Sequence, residues 1–440
     1  MLEYYVKNVQ FYIILSVWLV VGMYAGPAIF VVLPFTLFLM RNKGMWEELL
    51  IGFFFILILS DSLVPALHFA KNIKIVYLVV LAGFVVLDFE EFAPLNNLYR
   101  VFIPFFLIAI LCLFFSPSLF IGFQKTFSYI LMVVLIPTFM SKFYRDGKEF
   151  VFRSIIYFGV TILLAGFVLY FVKRDYAYIA LIHRFTGVFG NPNGLGLFAF
   201  LLFTLFFTLN DIFEDLFSNR QKIFIYSVIV FSVFLSNSRN AILSVVILVV
   251  FEKIFKKSSF LGFIFSVILF FINILISDYI PILIKEFGLE SFFRLNTLQE
   301  LSGRAIAWQF AWAKIQNNFF IGRGFGYDEF TMRANYHLLS KLGTQGGVHS
   351  SYLSLWMDFG LVGLLIYFRS FFLVFIRAIK LNRLAFSIMY AVLFSAAFEG
   401  LFIGSLNPQM IILLMIITLL NDSDFYEREQ ELPQLVVATK

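Results

Sequence analysis

The sequence predicts an all-α polytopic membrane protein with 12 to 14 transmembrane helices and one long loop subdomain that faces outward. The chain has 440 residues, of which 61% are hydrophobic and only 14% are charged, whereas about a quarter of the residues of a soluble domain are charged. Many apolar runs approach the roughly 20 residues needed to cross the hydrocarbon layer. They do not alternate as lipid-facing strands do, so we expect helices.

Apolar runs separated by charged breaks are the candidate spans. In chain order they cover residues 11–24, 27–40, 49–67, 74–87, 101–115, 127–140, 154–172, 194–210, 223–235, 240–251, 260–277, 355–376, 384–403 and 409–420. Several runs are short, and the first two are separated only by "GMYAGP". Such a pair is either one broken helix or a hairpin, which gives the range of 12 to 14.

Basic residues in the loops indicate the orientation of the chain. If the C-terminal tail is cytoplasmic, the loops on its side hold about twice as many Lys and Arg residues as the short loops on the other side. We therefore expect both termini in the cytoplasm. The predicted organisation is residues 1–277 as N-terminal spans, 278–350 as an outer loop, 351–420 as C-terminal spans and 421–440 as a cytoplasmic tail.

Two pieces of the outer loop are expected to be ordered. In "LSGRAIAWQFAWAKIQNN", Ser302 could cap a helix whose apolar residues recur at helical spacing and include Trp308 and Trp312. Such a helix could lie on the membrane surface. In "IGRGFGYDEF", three alternating glycines predict a tight backbone turn.

Two polar clusters fall on the outward side before this loop. The stretch "HRFTGVFGNPNGLG" contains Arg184, Asn191 and Asn193, and the short turn "SNSRNA" contains Arg239. A planar guanidinium is suited to phosphate oxygens. The alternative is that each arginine lies at a span end and only fixes topology.

A third cluster, "GGVHSSYLSLWMDFG", lies where the outer loop meets the next apolar run. His349 lies near its start, and Asp358 and Gly360 lie at its end. His349 alone could be a capping or surface residue, but beside two cations an imidazole can take a proton from an attacking hydroxyl. Glu399 lies inside a span near its outer end, where it could pair with an arginine or orient His349.

The three clusters, in this order and with a long loop between the second and third, resemble the O-antigen ligase and polymerase superfamily. That superfamily includes the Wzy polymerases and the WaaL ligases. The resemblance rests on "RFTGVFGNPNGLG", "SNSRNA", "SGRAIAW" with "FFIGRGFGY", and the spacing from His349 to Gly360. It covers about residues 180–400, although Val188 stands where the family often has leucine.

The resemblance implies a glycosyltransferase of the GT-C type that needs no metal or other cofactor. The enzyme would use undecaprenyl-pyrophosphate-linked glycans, as donor and acceptor, at the outer face of the bacterial cytoplasmic membrane. Carried over to this chain, Arg184 and Arg239 would bind the donor pyrophosphate, His349 would be the catalytic base, and Arg304 would be a further site residue. As candidate substrate-binding residues we add Asn191, Asn193, Asp358 and Glu399.

Alternative functions differ in what they require. The motifs do not separate a polymerase from a ligase that transfers glycan to lipid A core, and overall resemblance favours the polymerase, which could have a Wzz-like chain-length regulator as partner. A transporter or flippase would have polar residues along many spans, whereas here they collect on one side.

No histidine pair has metal-ligand spacing, so we expect no catalytic metal. Basic residues form no stripe for nucleic acid.

Overall fold

The computed structural model describes residues 2–179, 184–257, 304–344 and 346–426, together with three isolated positions between 258 and 303. The larger helices are α2 Val9–Tyr24, α3 Ile29–Asn42, α4 Trp46–Asp61, α5 Phe69–Leu87, α7 Leu98–Leu113, α8 Leu119–Arg145, α9 Phe150–Val172, α11 Pro192–Ile212, α12 Asn219–Ser236, α13 Arg239–Lys257, α14 Arg304–Asn317, α15 Tyr327–Ala334, α17 Ser351–Leu381, α18 Leu384–Phe398 and α19 Pro408–Asn421. The smaller elements are helices α1 Leu2–Lys7, α6 Phe89–Phe92, α10 Arg174–Ala177 and α16 Tyr336–Lys341, two 3₁₀ turns (Gly26–Ala28 and Pro65–Leu67), and strands β1 Tyr178–Ile179 and β2 Arg184–Phe185.

The prediction of an all-α polytopic membrane protein is confirmed. Five helices of the described part are long and apolar enough to cross a membrane, and five further apolar helices are shorter. The two strands are two residues each and pair antiparallel. The count of 12 to 14 spans stays a prediction, because the candidate at 260–277 lies outside the described residues.

The first two candidate spans form a hairpin. Helices α2 and α3 are separated by the 3₁₀ turn Gly26–Ala28, and they pack against each other. The indole N–H of Trp18 donates to the Thr36 hydroxyl across the pair at 2.7 Å. Satisfying both polar groups inside the pair removes the cost of burying them in an apolar layer.

Helices α11 and α19 form the centre of the bundle. Both begin with an Asn-Pro pair, in which the asparagine caps the helix and the proline occupies its first turn. Both are buried along nearly their whole length and pack against each other. The core around them is one continuous apolar cluster that includes residues from α2 to α19.

Polar loops collect at two ends of the bundle. At one end, Arg41 pairs with Asp88 at 2.5 Å and Ser141 donates to Asp422 at 2.5 Å. At the other end, the ammonium of Lys74 donates to the Leu406 carbonyl at 3.0 Å. The loops that the sequence assigns to the cytoplasm lie at the first end.

Helix α17 is broken at Gly360, whose backbone has φ 70° and ψ −177°. This region of backbone space is essentially restricted to glycine. The break leaves backbone groups of α17 without partners in their own helix. The segment 319–326 supplies partners, since the carbonyl of Phe319 accepts from Leu361 N–H at 2.8 Å and the amide of Gly324 donates to the Asp358 carbonyl at 2.7 Å.

The segment that the sequence predicts to face outward has a small core of its own. Ala307, Ala311 and Ile315 form the buried stripe of α14, which packs on α17. They join Met332, Leu339, Val348 and Met357 in one cluster. Trp308 is half-buried with its N–H on the Val348 carbonyl, and Trp312 is exposed. The proposed cap Ser302 lies outside the described residues.

Candidate active site

His349 lies two residues before α17 and faces the side chain of Glu399, which is distant in sequence. Its Nδ1 is 3.8 Å from Oε2 of Glu399. The other carboxylate oxygen, Oε1, accepts from Nη2 of Arg304 at 3.0 Å. Glu399 is buried and ends α18, and Arg304 begins α14. Three elements therefore bring an imidazole, a carboxylate and a guanidinium into a row.

Ser351 fixes the position of this row. Its buried hydroxyl donates to the backbone carbonyl of Glu399 at 2.8 Å and accepts from the amide of Phe402 at 3.1 Å. The start of α17 is thereby tied to the chain that follows α18. A buried hydroxyl with both hydrogen bonds made restricts movement of the groups it joins. Sequence reasoning missed Ser351, which the chain offers only as one of two adjacent serines after His349.

Arg184 brings the first two clusters together. Its Nε and Nη2 donate to the carbonyl of Ser236 at 3.0 and 2.9 Å, and Nη2 also donates to the carbonyl of Asn237 at 3.0 Å. The same Nη2 donates to Oδ1 of Asn193 at 2.8 Å. Arg184 is 9% exposed. This guanidinium holds the turn that carries Arg239.

Arg239 is exposed at the first residue of α13. The next residue, Asn240, donates from its side-chain amide to the carbonyl and hydroxyl of Ser395 at 3.3 and 3.2 Å. Ser395 lies on α18, one helical turn before Glu399. The turn that carries Arg239 and the row that contains His349 are therefore both anchored on the C-terminal end of α18.

Asp358 has a different environment. It is fully buried, and its two carboxylate oxygens accept from the amides of Gly326 and Asp328 at 2.8 Å each. These contacts hold the glycine turn against the break in α17. The predicted tight turn is present, with φ 88° at Gly324 and 83° at Gly326.

One cavity is lined by His349, and a second cavity adjoins the first. The smaller one, about 260 Å³, is lined by His349 together with Ser354, Asp328 and Gly400. The larger one, about 1040 Å³, includes Asn191 in its wall. Four residues belong to both walls: Lys125, Glu329, Ile403 and Gly404. The walls of these two cavities include neither Arg184 nor Arg239.

An ion pair lies between the two cavities. Lys125 Nζ is 2.5 Å from Oε2 of Glu329, and Arg333 contacts the other oxygen of the same carboxylate. Burial acts to raise the pKa of Glu329, but the ammonium of Lys125 and the neighbouring Arg333 outweigh it and lower that pKa. Glu329 is therefore held as a carboxylate that ties α15 to α8.

The remaining predicted residues have defined places. Asn191 caps α11 through its side-chain oxygen, which accepts from the amide of Gly194 at 2.6 Å. Asn193 holds Arg184.

Sequence reasoning treated Lys74 and Lys125 only as markers of topology and did not consider Asp61. A charged residue at the edge of an apolar run is the signal that could have indicated them.

Comparison with known families places a match on this region. Residues 223–368 match the family model described as O-Antigen ligase. The matched segment includes Arg239, Arg304, His349 and Asp358, whereas Arg184 and Glu399 lie outside it. This match supports the resemblance found in the sequence. None of the curated proteins compared with the chain matches it.

Proposed function

The chain belongs to the O-antigen ligase and polymerase superfamily, and we propose that it polymerises undecaprenyl-pyrophosphate-linked repeat units. The glycan of one lipid carrier is transferred to a hydroxyl of a second repeat unit. One observation carries this proposal. His349, backed by Glu399 and Arg304, lines a cavity that shares part of its wall with a cavity of about 1040 Å³.

The proposed chemical step is an inverting substitution at the anomeric carbon. The acceptor hydroxyl attacks that carbon while the bond from carbon to the pyrophosphate oxygen breaks, and the leaving pyrophosphate takes the bonding electron pair. The acceptor proton passes to His349. Glu399 lies on the Nδ1 side of the ring and so leaves Nε2 for the proton. Arg304 holds the Glu399 carboxylate in place.

The two predicted arginines have different parts in this proposal. Arg239, exposed at the start of α13, supplies positive charge to the pyrophosphate as it leaves. Arg184 donates to the turn that carries Arg239, so its contribution to binding pyrophosphate runs through the position of that turn. Both roles support the same transfer without a metal.

We also propose that the site faces the periplasm or exterior from the bacterial cytoplasmic membrane, with both termini in the cytoplasm. The excess of Lys and Arg in the opposite loops supports this orientation. A Wzz-like chain-length regulator is the proposed protein partner. Its place would be on the outer segment, next to the growing glycan.

The decisive experiment gives the purified protein, in lipid bilayers, a single lipid-linked repeat unit and nothing else. A polymerase makes a ladder of longer lipid-linked glycans. A ligase leaves the repeat unit unchanged until lipid A core or another terminal acceptor is added. A transporter moves the lipid without forming a glycosidic bond, and either of these results would overturn the proposal.

Arg239→Ala tests the arginine role in the same assay. Removing a donor that meets developing charge costs on the order of 10² to 10³ in rate, so ladder formation should nearly disappear. Arg220→Ala is the control, since Arg220 is an exposed arginine near the opposite end of α12. Normal ladders from Arg239→Ala, with the protein at its usual level, would remove Arg239 from the site.

A further inference from the structure

The larger cavity has a charged wall, and Lys71 and Arg333 are exposed at its edge. Its wall contains four basic side chains, Lys71, Lys74, Lys125 and Arg333, and two acidic ones, Asp61 and Glu329. The wall therefore has a formal excess of two positive charges. Glu329 is already paired with Lys125 and Arg333. Solvent compensates the exposed Lys71 and Arg333, so Lys74, which is half-buried, is the cation whose charge is costly unless an anion compensates it.

Lys74 makes no ion pair with a carboxylate at contact distance among the residues that the structure describes. It lies in the first turns of α5, which is among the helices long and apolar enough to cross a membrane. Its ammonium donates to the Leu406 carbonyl at 3.0 Å and to the Ser60 hydroxyl at 3.5 Å, both neutral acceptors. An ammonium has three N–H donors. Within the described part of the chain, one donor of Lys74 remains for a ligand.

Asp61 presents the complementary group. It ends α4 in the same cavity wall, and its Oδ2 is buried without a hydrogen-bond partner among the residues that the structure describes. A buried carboxylate oxygen that accepts no hydrogen bond costs free energy. A sugar hydroxyl entering the cavity would donate to it. Lys74 and Asp61 thus offer one donor for an oxyanion and one acceptor for a hydroxyl.

We infer that the larger cavity binds the second glycan substrate of the transfer reaction, with an oxyanion of that substrate at Lys74 and a sugar hydroxyl at Asp61. This inference rests on the proposed function. The oxyanion is either the pyrophosphate of the second lipid carrier or the carboxylate of an acidic sugar. The wall shared with the smaller cavity lets the same glycan extend to His349.

Binding measurements on the intact chain in lipid nanodiscs test the inference. The probes are inorganic pyrophosphate, undecaprenyl pyrophosphate and a tetrasaccharide rich in uronic acid. Lys74→Gln removes a charge-assisted contact, so binding of the oxyanion-bearing probe should weaken about tenfold. Weaker binding of the two pyrophosphates identifies the lipid carrier as the source, and weaker binding of the tetrasaccharide identifies an acidic sugar.

Three further variants control this measurement. Lys341→Gln removes an exposed lysine that is outside both cavity walls and should leave binding unchanged, whereas Lys74→Arg should restore most of the affinity. Asp61→Asn removes a negative charge beside Lys74, so it should bind pyrophosphate at least as tightly as the wild type. Its preference for the tetrasaccharide over pyrophosphate should fall, because a neutral amide replaces the carboxylate that accepts a hydrogen bond from a sugar hydroxyl.

Failure of this inference differs from failure of the proposed function. Equal affinity of Lys74→Gln and the wild type for every probe would overturn the inference, even if ladders still formed. If Lys74→Gln weakens binding but the wild type transfers no glycan, the proposed function is overturned and the binding site is still supported. His349→Gln should lose ladder formation and keep the binding of all three probes.

Discussion

At the scale of single residues, His349 combines an uncommon backbone with a defined partner. Its φ of 50° lies in the left-handed region, which few residues other than glycine adopt. Adopting it costs on the order of 1 kcal/mol, and the result is a ring that faces Glu399. The sequence predicted that Glu399 pairs with an arginine or orients His349, and the structure places Arg304 and His349 on its two oxygens.

His349→Gln should lose ladder formation by about 10² to 10⁴ in rate, because general base catalysis contributes on that order. Glutamine keeps polar atoms near the ring position but cannot take the proton. The measurement is the initial rate of ladder formation with purified protein. The control is His337→Gln, which alters an exposed histidine of the outer segment. Full activity of His349→Gln would end its assignment as the base.

At the scale of elements, the break in α17 fastens the helical part that follows His349 to the segment 319–328. Gly322 and Gly360 lie where the two segments cross, and a Cβ at either position would come within 2.5 Å of backbone atoms of the other segment. Asp358 adds hydrogen bonds to the amides of Gly326 and Asp328. The short helical part before Gly360 is thereby locked to the outer segment.

Gly360→Ala should destabilise the protein by at least about 1 to 3 kcal/mol, because alanine is strained at this backbone geometry and its Cβ would meet Phe320 at 2.4 Å. The readout is the thermal unfolding midpoint in detergent, followed by tryptophan fluorescence. Gly83→Ala is the matched control, since a Cβ there meets nothing within 4 Å. An unfolding midpoint equal to the wild type for Gly360→Ala would show that the break is dispensable.

The ion pair between α8 and α15 gives a pH-dependent contribution. Since Lys125 lowers the pKa of Glu329 below the ordinary 4.5 in the folded protein, this pair stabilises the fold above pH 4.5. The contribution is lost as pH falls through the lowered pKa. Glu329→Gln should lower stability by about 1 kcal/mol or less at pH 7, because solvent screens part of the pair.

The comparison that tests this is the difference in unfolding midpoint between the wild type and Glu329→Gln, measured at pH 7 and then at increasingly acidic pH. The difference should shrink below pH 4.5. A difference that grows on acidification would mean that Glu329 is not held as a carboxylate by Lys125.

At the scale of the whole molecule, polar side chains divide between the two ends of the bundle. Cysteine labelling can assign those ends to compartments, because the native chain has a single cysteine, Cys112, and it is buried. Lys341→Cys should react with a reagent that cannot cross the cytoplasmic membrane when the reagent is added to cells in which that membrane is intact. Lys43→Cys should react only after the membrane is opened. The reverse pattern would invert the proposed orientation.

Sequence reasoning predicted the membrane class because charge content and apolar run length are properties of composition. It singled out Arg184, Arg239 and His349 because they are polar outliers next to apolar runs. The break in α17 could not be predicted, since mean hydropathy does not report backbone angles. Lys74 and Asp61 each stand at the edge of an apolar run, but their proximity depends on how α4 and α5 pack, which the sequence does not report.

The crossing of the glycine turn with Gly360 also constrains how the chain is made. Residues 319–326 leave the ribosome before α17, so the turn is available when that helix emerges. The part of α17 before Gly360 is far shorter than the roughly 20 residues that insert on their own. In the proposed orientation, the turn therefore crosses the bilayer before α17 is complete, and the new helix makes its remaining backbone hydrogen bonds by docking on that turn.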